Sequence, residues 1–150
     1  MYKVLFVCHG NICRSPMAEF ILKDMVKKLG ADKEFIIESA ATSTEEIGSP
    51  VYPRARSVLA KHKIVASGKY ARQFVRGDYD KYDYIIAMDK KNRENILKTT
   101  GGDAAGKVHM LLEYAGENRS VSDPWYTGDF DVAYEDIFKG CAALVDYILH

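Results

Sequence analysis

The apolar positions of this chain alternate between short unbroken blocks and stripes at helical spacing. Val4-Leu5-Phe6-Val7 is an apolar, β-rich block with turn residues after it, the pattern of a strand covered on both faces. Ser15-Pro16 then reads as an N-cap followed by proline at the first helical position. Ile21, Met25 and Leu29 recur at helical spacing from Met17 onward, up to a stop at Gly30. Glu19 and Lys23, and Asp24 and Lys28, stand four apart and are expected on the wet face of that helix. Phe35-Ile36-Ile37 predicts a second strand, Tyr84-Ile85-Ile86-Ala87-Met88 a third, and Val108-His109-Met110 a short fourth. Pro53 to His62 and Asn92 to Lys98 suit helices. In the closing stretch, Tyr134, Ile137, Phe138, Cys141, Leu144, Val145 and Ile148 fall on one helical face.

Strands alternating with helices predict an α/β fold with a parallel sheet and right-handed crossovers. Its 150 residues, without internal repeat, low-complexity segment or linker, read as one domain, 1–150. Two stretches, Ser39–Pro53 and Glu113–Phe130, exceed the usual connection length and are expected to carry function. Composition changes this picture little: 47% hydrophobic and 28% charged residues are ordinary for a globular chain.

Charge narrows the function classes. Lys+Arg and Asp+Glu both number 21, so the basic excess of a nucleic-acid-binding protein is missing. No apolar run approaches the roughly 20 residues of a membrane span. The apolar block ahead of His9 is also shorter than a signal-peptide core of about 7–15 residues. A cytoplasmic chain without nucleic-acid or membrane partners is expected. Three cysteines, an odd number, argue against a disulfide framework. His9, His62, His109 and His150 are scattered without the spacing of zinc ligands, so no metal is expected. Lys90-Lys91 and Lys27-Lys28 read as solvated faces.

The candidate chemistry lies where the first strand ends. Cys8-His9-Gly10-Asn11-Ile12-Cys13-Arg14-Ser15 joins that strand to the first helix, and ligands of open α/β sheets sit beyond the carboxyl ends of the strands. A loop feeding a helix N-terminus points unpaired N–H groups outward beside the positive end of the helix dipole, which makes an anion site. Gly10 and Asn11 are the residue types that most readily take positive φ, as a loop curling its amides inward requires. Arg14 adds a fork of donors suited to two phosphate oxygens. Helix N-termini and nearby cations favour a thiolate, so Cys8 is placed to be nucleophilic, with the Ser15 hydroxyl as a further donor. Cys-x5-Arg alone is a weak motif; its position at a strand end with Ser-Pro opening a helix sharpens it. For an acid to protonate a leaving group, sequence alone leaves Asp78, Asp80, Asp103, Asp123 and Asp129 as equals.

VLFVCHGNICRSPMAE (Val4 to Glu19) resembles the catalytic loop of the low-molecular-weight protein tyrosine phosphatases almost throughout. SAATS (Ser39–Ser43), ARQ (Ala71–Gln73), YIIAMDKKN (Tyr84 to Asn92) and DPWY (Asp123–Tyr126) follow in the family's order. The resemblance implies a three-layer fold, a four-stranded parallel sheet flanked by helices on both faces, and no metal or organic cofactor. It implies a hydrolase of phosphotyrosine, or aryl phosphate monoesters, working through a cysteinyl-phosphate. Cys8 would be the nucleophile, and Arg14 with the amides of His9, Gly10, Asn11, Ile12, Cys13, Arg14 and Ser15 would hold the phosphoryl oxygens. Ser15 would stabilise the thiolate, Asn11 and Ser39 would brace the loop, and Asp123 would be general acid and then base. Cys13 would be a reversible redox partner of Cys8, or else a small residue filling space behind the loop. Phosphotyrosine proteins or peptides, inorganic phosphate and similar oxyanions are the expected ligands of a monomer.

Two departures bear on specificity. Family members often carry histidine where Lys69 stands, supporting the loop asparagine, and an aromatic residue where Glu45 stands, lining the substrate slot. Ile12, Glu45, Trp125 and Tyr126 are the expected slot residues here. In the arginine-phosphatase branch a threonine is typical in place of Ile12, so isoleucine favours an aryl ester. An arsenate reductase of related fold would need a relay of further cysteines, and nothing between Cys13 and Cys141 supplies one. A non-catalytic phosphate-binding module would be expected only without Cys8 or Asp123.

Overall fold

The computed structural model describes all 150 residues. Four strands, β1 (Tyr2–Cys8), β2 (Phe35–Ala41), β3 (Tyr84–Ala87) and β4 (Val108–Met110), form one parallel sheet in the order β2-β1-β3-β4. Six helices accompany it: α1 (Arg14–Lys28), α2 (Pro53–Lys61), α3 (Asp78–Lys81), α4 (Lys90–Thr100), α5 (Pro124–Thr127) and α6 (Phe130–Leu149). Short 3₁₀ turns lie at Asp32–Glu34 and Leu111–Ala115.

The β1 block is apolar throughout because both faces of the sheet are covered. Val4, Phe6 and Cys8 join a core cluster with Met17, Ile21 and Leu22 of α1 and Ile137, Cys141 and Leu144 of α6. Leu5 and Val7 point the other way, into a smaller cluster with Ile85, Ile96 and Val108, as the two-residue strand period requires. Each such aliphatic side chain contributes roughly 1.5–3 kcal/mol on burial. α6 approaches the 3₁₀ turn closely at Gly140, where a Cβ would come within 2.4 Å of Leu111 Cγ.

Several details differ from the sequence expectation. Helix α1 begins at Arg14 with Cys13 at its N-cap, so Ser15 lies inside the helix and caps nothing. Its hydroxyl has better partners in the interior. Gly30, with φ +72°, does follow the helix as its stop. Glu19 pairs with Lys23 at 2.6 Å but is buried rather than on a wet face, because it faces β2. β2 continues through Ala41, beyond the Ser39 boundary expected from the end of the apolar run, since Ser39, Ala40 and Ala41 pair with Phe6, Val7 and Cys8. Phe138, assigned to the apolar face of α6, is 45% exposed; it stacks on Tyr134 at the edge of that face.

The chain passes from β1 to β2 on one side and then to β3 on the other, so the order reverses at β1. Crevices that bind ligands in open α/β sheets form at such a reversal, beyond the carboxyl ends of the strands. Cys8 is the last residue of β1.

Candidate active site

The loop after β1 turns its carbonyls outward into the scaffold. Those of Cys8, His9, Ile12 and Cys13 accept from the amides of Thr42 (2.9 Å), Ser43 (3.0 Å), Tyr52 (2.9 Å) and Met17 (3.0 Å). With the carbonyls so occupied, the amides that open α1 are the donors left to face the crevice. Asn11 takes φ +58°, the left-handed conformation the curl demands, and is 1% exposed.

The Asn11 side chain is the hub of the loop. Its Nδ2 donates to Ser15 Oγ at 2.7 Å and to Ser39 Oγ at 2.9 Å, while its Oδ1 accepts from the Arg72 amide at 3.2 Å. Ser39 Oγ donates in turn to Glu19 Oε1 at 2.6 Å. Because the Ser15 oxygen accepts from Asn11, its proton is free for Cys8 Sγ, 2.9 Å away. The Asn11 amide also donates to that sulfur at 3.3 Å. Lys69 does not touch Asn11: its Nζ donates to the Ser39 carbonyl at 2.6 Å and lies 3.7 Å from Glu19 Oε1. Burial holds the Lys69 amine below its ordinary range, against the opposing pull of Glu19. The support therefore runs through Ser39 and not directly to the loop asparagine. Asn11→Ala would take the donor from two buried hydroxyl oxygens and leave the Arg72 amide without its acceptor. A loss of at least about 1–3 kcal/mol in stability is expected, as one unsatisfied buried group costs that much. Denaturant midpoints at constant slope would measure it.

Arg14 is 3% exposed. Its guanidinium donates to the Val121 carbonyl at 3.1 Å, Asp89 Oδ2 at 2.8 Å and Asp123 Oδ2 at 3.4 Å. Asp89 also caps α4 in a reciprocal capping box with Asn92, so the group that aims Arg14 is itself fixed. Asp123 caps α5 through a 3.1 Å bond from the Trp125 amide, which orients its carboxylate across the crevice.

Cys8, Arg14, Asp89, Asn92 and Asp123 line a cleft of about 500 Å³ together with His9, Gly10, Ile12, Cys13, Glu45 and Glu46. Trp125 and Tyr126 stand 57% and 86% exposed at its mouth, which excludes ordinary core packing for either. Tyr52, which the sequence reading passed over, supports Trp125 edge-on at 5.2 Å and stacks on Phe130. The rim is acidic on one side: Glu45 Oε2 meets His9 Nε2 at 3.0 Å, and Glu46 accepts from Ser49 at 2.9 Å. Lys91, expected to be only a solvated face, also lines the cleft.

The three thiols differ sharply in surroundings. Burial, with the neighbouring Cys8 and Asp123, pushes the Cys13 thiol up to about 12. Complete burial alone raises that of Cys141, which packs on α6 against the Ala18 carbonyl. Only Cys8 meets the hydroxyl and amide donors described above. No three His, Cys, Asp or Glu side chains converge as a metal-ligand set, and no helix is long and apolar enough to cross a membrane.

Residues 3–149 match the family model described as "Low molecular weight phosphotyrosine protein phosphatase". The low molecular weight protein-tyrosine-phosphatase YfkJ of Bacillus subtilis is 38% identical over 147 residues, 97% of this chain and 94% of that protein. Its crystal structure superposes with a TM-score of 0.95, covering 99% of this chain and 94% of the other. SP-PTP, the low molecular weight protein tyrosine phosphatase of Streptococcus pyogenes, gives a TM-score of 0.90 at 38% identity, covering 100% and 95% of the two chains. The drosophila arginine phosphatase DARP gives 0.89 at 28% identity, covering 99% and 98%.

Proposed function

The chain belongs to the low-molecular-weight phosphotyrosine protein phosphatase family, and on that footing we propose that it hydrolyses phosphotyrosine in proteins or peptides through a cysteinyl-phosphate on Cys8. The observation that carries the assignment is the surroundings of Cys8 Sγ. It lines the cleft, 2.9 Å from the Ser15 hydroxyl, whose oxygen already accepts from Asn11, on a loop that opens a helix and carries a buried arginine.

In the first step the phosphate dianion enters the loop and its oxygens take the amides of residues 9–15 and the Arg14 guanidinium. Cys8 Sγ attacks phosphorus in line, forming a P–S bond as the P–O bond to the tyrosyl ring breaks. Asp123 gives its proton to the departing phenolate oxygen. In the second step Asp123 takes a proton from water as that water attacks phosphorus. The P–S bond breaks, releasing inorganic phosphate and the Cys8 thiolate. The loop donors strengthen as charge spreads over the equatorial oxygens, which is where binding energy becomes rate. Metal takes no part in this scheme. The site is complete within one chain, which supports a monomeric enzyme, and its three free cysteines fit the cytoplasm.

Acid quenching during turnover of a labelled phosphotyrosine peptide, followed by proteolysis, tests the scheme. Label is expected on the peptide carrying Cys8. Label on another residue, or none during steady turnover, would overturn it.

Ile12, Trp125 and Tyr126 offer an aryl ring apolar and aromatic walls. Glu45 gives the slot an acidic rim that opposes acidic residues flanking the phosphotyrosine. Glu45→Gln is expected to raise kcat/KM for an acidic phosphopeptide roughly 2–5-fold over a neutral one, the scale of an exposed charge pair. The gain should vanish in high salt, and a gain that survives salt would point to shape instead.

A further inference from the structure

Asp123 stands at the end of a segment, Gly116 to Asp123, that has no helix or strand of its own. Something outside the segment must fix it, because a displacement near 1 Å at a reacting group costs up to about 10²-fold in rate. Two residues ahead of Asp123, Val121 is tied to the sheet side: its amide donates to the Met88 carbonyl at 2.9 Å and its carbonyl accepts from Arg14. The residue immediately ahead, Ser122, is tied elsewhere. Its amide donates to Asp136 Oδ2 on α6 at 3.2 Å.

Asp136 is 8% exposed, an unusual depth for a carboxylate. Arg119, from the same segment, grips it with two parallel bonds of 3.0 and 2.8 Å. Arg119 Nε also donates to Glu117 at 2.8 Å, and Glu117 pairs with Lys139 one turn further along α6. The segment thus meets α6 at residues 117, 119 and 122 through one charged network. Burial acts to raise the Asp136 carboxyl, but the bonds from Arg119 and the Ser122 amide outweigh it and hold the group below the ordinary carboxylate range. The acceptor that anchors Ser122 is therefore ionised at neutral pH.

We propose that Asp136, locked by Arg119, is the positioning residue of the general acid, fixing the backbone beside Asp123 so that its carboxyl meets the leaving oxygen. The inference rests on the reading of Asp123 as the acid. Neither residue touches the cleft, and only proton delivery should suffer when the tie is cut. Thiolate attack depends on the β1–α1 loop, whose one contact with the segment, from Arg14 to the Val121 carbonyl, is held separately by the bond from the Val121 amide to Met88.

The test compares kcat/KM for phenyl phosphate, whose leaving group needs a proton, with that for 2,4-dinitrophenyl phosphate, whose leaving group does not. Asp136→Ala is expected to lose about 10–10²-fold with the first ester and far less with the second. Asp136→Asn keeps an acceptor for the Ser122 amide and should recover part of the loss. Arg119→Ala, at a half-exposed position, gives the same selective loss in a form that folds even if Asp136→Ala does not. Asp123→Ala and the double variant Asp123→Ala/Asp136→Ala are measured alongside. If Asp136 acts through Asp123, the double variant shows no further loss of selectivity. An equal loss for both esters, or no loss in folded Asp136 and Arg119 variants while Asp123→Ala remains selective, would overturn the inference. A non-selective Asp123→Ala would instead remove the acid assignment beneath it.

Discussion

Cys8→Ser is expected to abolish turnover while leaving phosphate binding in place. The two groups that touch Sγ are the Ser15 hydroxyl and the Asn11 amide, and in this arrangement both donate. Donors stabilise negative charge on a sulfur, but they take no proton from a serine hydroxyl. Serine nucleophiles work only beside a general base, and neither contact supplies one. The loss should therefore be at least about 10⁴-fold in kcat, in keeping with the cost of nucleophile removal in serine proteases, which reaches about 10⁶. Arg14 and the loop amides are untouched, so inorganic phosphate should still bind, as calorimetry can measure. Residual activity within about tenfold of the parent would remove Cys8 from its role. Cys13 offers no substitute, because its buried thiol stays protonated at neutral pH.

Asp123→Ala should cost on the order of 10²–10⁴ in rate with phenyl phosphates, the usual contribution of a general acid. The sequence leaves five aspartates as equals for this role, but their positions separate them. Asp78 is buried against Arg72, and Asp103 is tied to Tyr79 and the Lys107 and Val108 amides. Asp129 caps α6 through the Val132 amide. Asp80 is outside the cleft lining, while Asp123 belongs to it, 3.4 Å from Arg14. That contact has a mechanistic consequence. An incoming phosphate competes with the Asp123 carboxylate for the same guanidinium, so the acid proposed here stands beside the bound phosphoryl group. The loss should shrink with leaving groups that depart without a proton. A loss of equal size across leaving groups would assign the proton transfer to another residue.

The sheet was legible because β1, β3 and the start of β2 are short, continuous apolar blocks, and the β1–α1 loop because its residues are contiguous in sequence. Local reasoning failed where a partner lies far along the chain. Ser15-Pro16 has the form of a helix start, yet the Ser15 hydroxyl turns inward because Asn11 and Cys8 surround it. Glu19 and Lys23 are correctly paired by spacing, but spacing cannot say that Ser39 and Lys69 approach that side of α1. The partners of Arg14, at Asp89, Val121 and Asp123, lie 75 to 109 residues away, as a β1–β3 neighbourhood dictates. Asp89 did carry a local signal, since Asp89 and Asn92 form a capping box. The helix expected to begin at Asn92 begins at Lys90 for that reason. Asp136 carries none: on the sequence it is one acidic residue of an amphipathic helix.

The most direct test of the phosphotyrosine assignment is phosphate release from phosphotyrosine and phosphoarginine side by side, without added metal, with Cys8→Ser as the blank. A strong preference for phosphotyrosine is the expected result, because Ile12, Trp125 and Tyr126 give the slot aromatic and apolar walls. A preference for phosphoarginine would contradict the reading of Ile12, and release undiminished in the blank would contradict Cys8 as the nucleophile.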